Sequence, residues 1–158
     1  MFSLFQKSQD IIAPISGKVI GLDMVPDAAF AQRIIGDGAA LSELCDDTVY
    51  APVDGTLTLV FRTNHAFAIT TKDKLEVLVH VGMDTVKMEG EGFERLAEEG
   101  AQVKAGQPVL RIDRSKIEAA GYSLITPVVI TSMANIKKIE VMLDKKVTGG
   151  KDAMFSHK

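Results

Sequence analysis

Apolar and polar positions alternate along this chain in short runs, broken every few residues by Gly, Pro or Asp. That pattern predicts an all-β sandwich or barrel. The clearest strand is LEVLVHV at residues 75–81. Side chains alternate along a strand, so Val77, Val79 and Val81 face one way and Leu78 and His80 the other. The valine face is the expected core face, and the chain turns directly after it at Gly82. RTNHAFAITT at residues 62–71 predicts a neighbouring strand on which Thr63, His65 and Phe67 share a face. Residues 103–112 read as a strand pair or strand-turn-strand, and residues 124–131 and 137–143 as further strands. Helical signals are brief. One turn is expected over residues 26–31. A second, over 92–99, has Phe93, Leu96 and Ala97 at helical spacing before Gly100. A third, over 113–120, starts on Asp113 or Ser115 and stops at Gly121.

Two segments resemble each other. IIAPISGKVIGL from Ile11 and VYAPVDGTLTLV from Val49 share Ala-Pro-x-x-Gly and a following apolar strand, with Pro14 and Pro52 38 positions apart. This is a weak internal duplication, expected to give two related sheet halves. Each proline belongs at a strand edge or entry, and each glycine at the turn into the next strand.

A chain of 158 residues, 46 % hydrophobic and 25 % charged, fits one domain with a substantial core. The expected division is an N-terminal arm at 1–10, one domain at 11–150 and a tail at 151–158. The arm is either an untidy terminus or a short amphipathic segment presenting Phe2, Leu4 and Phe5. No apolar run is long enough to span a bilayer, and no secretory signal is legible. One cysteine excludes an internal disulfide and suits a reducing cytosol, so a cytoplasmic location is expected. A net charge of −3 argues against nucleic acid and is compatible with a basic protein partner.

The three histidines are the side chains that titrate near neutrality. His80 in a strand of β-branched residues is either a core or edge histidine bonded to a carbonyl, or a reactive group. His65 is either a surface histidine or a partner to it. If the two strands pair, both imidazoles reach one surface, with the Thr63 hydroxyl beside His65. Phosphoryl transfer through such a site needs one imidazole nitrogen as nucleophile and the other fixed by an acceptor. A backbone carbonyl near Gly82 is suited to that for His80. His65 and Thr63 would then serve the phosphoryl oxygens. The chain has no GxxxxGK[ST] loop.

GDG at 36–38, APVDG at 51–55, TNHAFAI at 63–69, LEVLVHVGMDTV at 75–86, GEGF at 90–93 and TPVVI at 126–130 resemble, in order and spacing, the glucose-type IIA family of the sugar phosphotransferase system. The likeness runs from about Ile11 to Leu143. It implies an antiparallel β-sandwich and a phosphocarrier. The position of His80 accepts a phosphoryl group from phospho-HPr and passes it to a cysteine of a IIB component. His65 supports that group and Thr63 orients His65. The likeness also implies an apolar docking patch of Val25, Phe30, Phe61, Leu78 and Val86, with Asp27 and Asp84 as acidic positions facing the basic partner. Leu78 stands where a phenylalanine is common in the family. No cofactor and no metal are implied. Read locally, Asp27 caps the turn after Pro26 and Asp84 shapes the turn after Gly82.

Two rival functions are weighed against this. A zinc-dependent hydrolase of related architecture would use both histidines, but catalytic zinc wants three protein ligands and the His-x-His pair of lysostaphin-type peptidases is absent. A purely regulatory module would be switched by phosphorylation of His80. A lipoyl-like carrier lacks the lysine turn that would bear the cofactor. Cys45, among Glu43, Asp46 and Asp47, reads as an incidental loop cysteine because negative charge disfavours its thiolate. His157 reads as disordered tail, and Glu89, Glu91, Glu94, Glu98 and Glu99 as a solvated face.

Overall fold

A computed structural model describes residues 8–158 of the chain. In its first half lie strands β1 (Gln9–Ile12), β2 (Gly17–Ile20), β3 (Asp37–Ser42), β4 (Thr48–Tyr50), β5 (Gly55–Val60), β6 (Ala66–Thr70) and β7 (Glu76–His80). Then follow β8 (Phe93–Arg95), β9 (Gln102–Val103), β10 (Pro108–Ile112), β11 (Thr126–Ile130), β12 (Ile139–Val141), β13 (Lys146–Val147) and β14 (Ala153–His157). Helix is confined to α1 (Ala28–Ala31), α2 (Arg114–Ala119) and three short 3-10 turns among these residues.

Every described pairing is antiparallel. One layer is an eight-stranded sheet in the order β13-β2-β3-β11-β7-β6-β5-β9; the other layer holds two three-stranded sheets, β1-β14-β12 and β4-β10-β8. The main core lies between the layers and takes Val77, Val79 and Val81 from one side, Phe155 and Leu110 from the other. Leu78 and His80 project from the opposite face of β7, as their alternation requires, and are half-buried there.

The duplication suggested by the Ala-Pro-x-x-Gly pair extends through the whole sheet. Gly17 and Lys18 pair with Val147 and Lys146 as Gly55 and Thr56 pair with Val103 and Gln102. Lys18 faces Ser42 as Thr56 faces Thr70. Ala40 faces Pro127 as Ala68 faces Leu78, and the two halves join where Val128 meets Val79. Followed along this register, the counterpart of His80 is Val129. The two repeated segments also bond to each other directly: the Ile12 amide donates to Pro52 O at 3.0 Å and the Tyr50 amide to Pro14 O at 2.6 Å. Gly17 and Gly55 are needed for close approach, since a Cβ on either would strike the carbonyl oxygen of Ser42 or Thr70 on the next strand.

Three expectations change. The segment at 92–99 holds the short strand β8 in place of a helix, because Phe93 to Arg95 pair with Ile112 to Leu110 and Gly90 and Gly92 take positive φ, which breaks a helix before it starts. Residues 62–65 are a turn, so β6 begins only at Ala66. The tail at 151–158 is mostly β14, the middle strand of its sheet, with Met154, Phe155, Ser156 and His157 buried. Consecutive apolar residues there are buried on both sides, which conceals the two-residue period of a strand. Of the expected arm, Gln9 and Asp10 belong to β1; residues 1–7, with Phe2, Leu4 and Phe5, lie outside the described residues.

Phe155 is fully buried between the layers. Phe155→Ala is expected to destabilise the fold by about 3–5 kcal/mol, read as a lower urea midpoint at unchanged slope. A change near zero would mean that β14 is not part of the cooperative unit.

Candidate active site

The site forms where β6 and β7 pair. Ala66 lies opposite His80, and the Val81 amide donates to His65 O at 2.7 Å, so the two histidines are fixed side by side by main-chain bonds. Their ring centroids are 5.1 Å apart at 81°. Phe30, from α1, packs on the His80 ring at 5.4 Å, and Phe61 packs edge-on against His65 at 5.2 Å.

Hydrogen bonds decide which nitrogens are free. His80 Nδ1 lies 2.8 Å from Gly82 O. A carbonyl only accepts, so Nδ1 carries the hydrogen and Nε2 keeps its lone pair. Gly82 has φ of +75°, and a Cβ there would meet Thr85 Cγ2 at 2.6 Å and Ser123 O at 2.8 Å. Only glycine therefore turns this carbonyl back toward the ring without strain. Thr85, fully buried, steadies the same turn by donating to Val81 O at 2.6 Å. His65 Nδ1 lies 2.8 Å from the Thr63 hydroxyl, which can serve either tautomer of the ring.

Burial keeps both rings neutral. His65, 2 % exposed, is pushed down to about 4, first by desolvation and then by the neighbouring charge of His80 when that ring is protonated. His80 is also lowered, chiefly by desolvation, against the opposing pull of the Gly82 carbonyl and of Asp27 and Asp84. A neutral His80 retains the lone pair that a nucleophile requires.

The other expected residues fall around this pair. Asp27 caps α1, its Oδ1 accepting the Ala29 amide at 2.9 Å, and is exposed. Asp84 is exposed in the left-handed conformation that begins the 3-10 turn after Gly82, and makes no side-chain cap bond. Val25 and Phe30, expected in an apolar patch, are only 3 % and 4 % exposed. They belong to a second cluster with Leu22, Ala40, Met83 and Val129, with Leu78 packed at its edge. Phe61 and Leu78 are half-buried, and Val86 is 51 % exposed. The open apolar residues of the covering segment are Met24, at 65 %, and Ile34, at 71 %. Helical periodicity over the four residues of α1 is too short to separate those outward residues from Val25 and Phe30. Two more residues unread in the sequence are Asn64 and Arg95, joined by a hydrogen bond of 2.9 Å under the His65 turn.

Cys45 is free and exposed. Among the described residues, no group of three or more His, Cys, Asp or Glu is placed to hold a metal ion. Among the described residues no helix is long and apolar enough to cross a membrane.

The chain matches a family model described as phosphoenolpyruvate-dependent sugar phosphotransferase system, EIIA 1, over residues 9–136. The chain belongs to this EIIA family. It is 46 % identical over 131 residues to the glucose-specific EIIA component of Borreliella burgdorferi, covering 83 % of this chain and 69 % of that protein. It is 41 % identical over 150 residues to the N-acetylglucosamine-specific EIICBA component of Klebsiella pneumoniae, covering 95 % of this chain but 23 % of the relative. The chain thus spans about a quarter of that fused protein. The solved glucose permease IIA of Mycoplasma capricolum superposes with a TM-score of 0.89 at 34 % identity, over 98 % of this chain and 99 % of that one. The EIIA fold is therefore the antiparallel β-sandwich described above.

The depressed histidines link this site to stability. His65, His80 and His157 all bind a proton less readily in the EIIA fold than in the unfolded chain. Their contribution is complete above the unfolded value near 6.5 and is lost as pH falls toward the folded values, about 4 for His65. The urea midpoint should drop between about pH 7.5 and about pH 5. His65→Gln should recover part of that drop; an identical pH profile in the variant would mean that His65 is not held neutral by burial.

Proposed function

We propose that this chain carries a phosphoryl group on His80 Nε2, taking it from the phosphohistidine of HPr and giving it to a cysteine of a IIB component. The reading rests above all on the 2.8 Å contact of His80 Nδ1 with Gly82 O, which leaves Nε2 unprotonated next to His65. Conversion proceeds without a metal or nucleotide because the donor already holds an activated phosphoryl group.

In the loading step the Nε2 lone pair forms the new N–P bond while the donor's N–P bond breaks. The donor imidazole keeps that electron pair and is protonated from solvent. In the unloading step an acceptor thiolate forms an S–P bond, the His80 N–P bond breaks, and its electron pair returns to Nε2. The hydrogen stays on Nδ1, donated to Gly82 O throughout, so the ring neither rotates nor changes tautomer. The Thr63 hydroxyl donates to His65 Nδ1, which leaves the hydrogen on His65 Nε2 to bond a phosphoryl oxygen. Since His65 titrates at about 4, it serves as a neutral donor at physiological pH.

Leu78, Phe61 and Val86, with Val25 and Phe30 beneath, form the apolar ground on which a partner rests. Asp27 and Asp84 supply the charge that attracts a basic one. The exchange is read as cytoplasmic, and relatives named for glucose and for N-acetylglucosamine support a role in sugar uptake.

With phosphoenolpyruvate, Enzyme I and HPr, intact mass should show one acid-labile, base-stable phosphoryl adduct. His80→Gln should abolish it. His65→Gln should keep the adduct but slow its passage to IIB by about two orders of magnitude. An adduct persisting in His80→Gln would overturn the assignment. Asp84→Asn should slow association with HPr and flatten its dependence on salt, which stopped-flow titration reads directly.

A further inference from the structure

We infer that Arg95 is a positioning residue of the phosphoryl site, acting through Asn64 on the Thr63–His65 pair. The inference builds on the carrier reading and concerns a residue in the opposite layer of the sandwich.

Thr63 and His65 stand on either side of Asn64, at the end of the turn between β5 and β6. The Asn64 amide donates to Phe61 O at 2.7 Å, closing the turn. Asn64 has φ of +61°, a left-handed conformation that asparagine tolerates better than most residues and that its neighbours here further fix. That reversal brings the Thr63 hydroxyl onto His65 Nδ1 across the intervening residue.

The hold comes from Arg95. Its Nε donates to Asn64 Oδ1 at 2.9 Å and its Nη2 to Phe61 O at 3.4 Å, so one planar guanidinium grips both ends of the turn. Phe61 is also the ring packed against His65. Arg95 is itself fixed, because its backbone pairs with Leu110 in the β4-β10-β8 sheet. Its side chain is 26 % exposed, so these bonds are largely shielded from water. Next along the chain, Glu99 Oε1 accepts the Val60 amide at 2.9 Å, adding a second tie to the strand that leads into the turn.

A direct role on the transferred group is less consistent with this geometry. Nε and Nη2 are committed to the turn, and Nη1 lies 3.6 Å from Glu98 Oε1, which offsets the charge. Arg95 therefore acts through His65. Lysine, a point charge without the planar fork, would not replace it.

The experiment is a double-mutant cycle on transfer from phosphorylated protein to IIB, using wild type, Arg95→Gln, His65→Gln and the double variant. Arg95→Gln should slow transfer on the order of tenfold in the wild-type background. In the His65→Gln background the same change should cost less than about twofold, because the group it positions is gone. Arg95→Lys should be as slow as Arg95→Gln. In nitrogen-detected NMR of the unphosphorylated protein, Arg95→Gln should shift the His65 ring signals and leave those of His80 in place. Equal losses in both backgrounds, full rescue by lysine, or unmoved His65 signals would each overturn the inference. Should Arg95→Gln fail to fold, Asn64→Gly removes the acceptor while suiting the left-handed backbone, and the same cycle applies to it. If wild-type protein takes up no phosphoryl group, the carrier reading falls, while the NMR comparison still decides the role of Arg95.

Discussion

The antiparallel joint between β7 and β11 is the constraint on which the rest of the molecule depends. Val79 meets Val128 there, and outward from that pair the eight strands repeat: β11 and β7, β3 and β6, β2 and β5, β13 and β9. A sheet built this way needs both halves in register, since a slip by one residue would turn every valine of β7 out of the core. It would also turn His80 inward. The same register that buries Val77, Val79 and Val81 thus holds His80 at the opposite surface.

The site arises where the two halves cease to be alike. In one half, the connection from β2 to β3 is long, and its α1 segment lies over Val129, the counterpart of His80. In the other half, the connection from β5 to β6 is a tight turn that delivers Thr63 and His65. Phe30 from the long connection reaches the His80 ring, and Phe61 from the short one reaches His65. One half supplies an apolar wall and the other a pair of polar groups. Between them the two rings lose water, which holds them neutral and leaves their outward nitrogens available.

Neutrality alone would not orient the chemistry. Gly82 O fixes one ring and Thr63 the other, and each fixing group rests on a turn with an unusual backbone: Gly82 at φ +75° and Asn64 at φ +61°. Glycine takes such a backbone freely and asparagine tolerates it, and neighbours further fix both turns. Thr85 on Val81 O and Arg95 on Asn64 are those neighbours, one from the turn itself and one from the opposite layer.

The sequence by itself determined the strand alternation that separates His80 from the valines, the glycine after it, the repeated Ala-Pro-x-x-Gly and, by resemblance, the family. These are local patterns, and local geometry imposes them wherever the strand lies. Tertiary structure alone decided the rest. Residues 93–95 became a strand because β10 offered an edge, although the apolar spacing over 92–99 is helical. Residues 153–157 became a central strand because both of its edges found partners, β1 and β12. Val25 and Phe30 were legible as apolar, but their burial, and the exposure of Met24 and Ile34 beside them, depended on how a four-residue helix settles on a sheet. Arg95 and Asn64 stand 31 positions apart, and no local rule joins them. Packing between distant segments is set by the whole chain's shape, which periodicity along one segment does not encode.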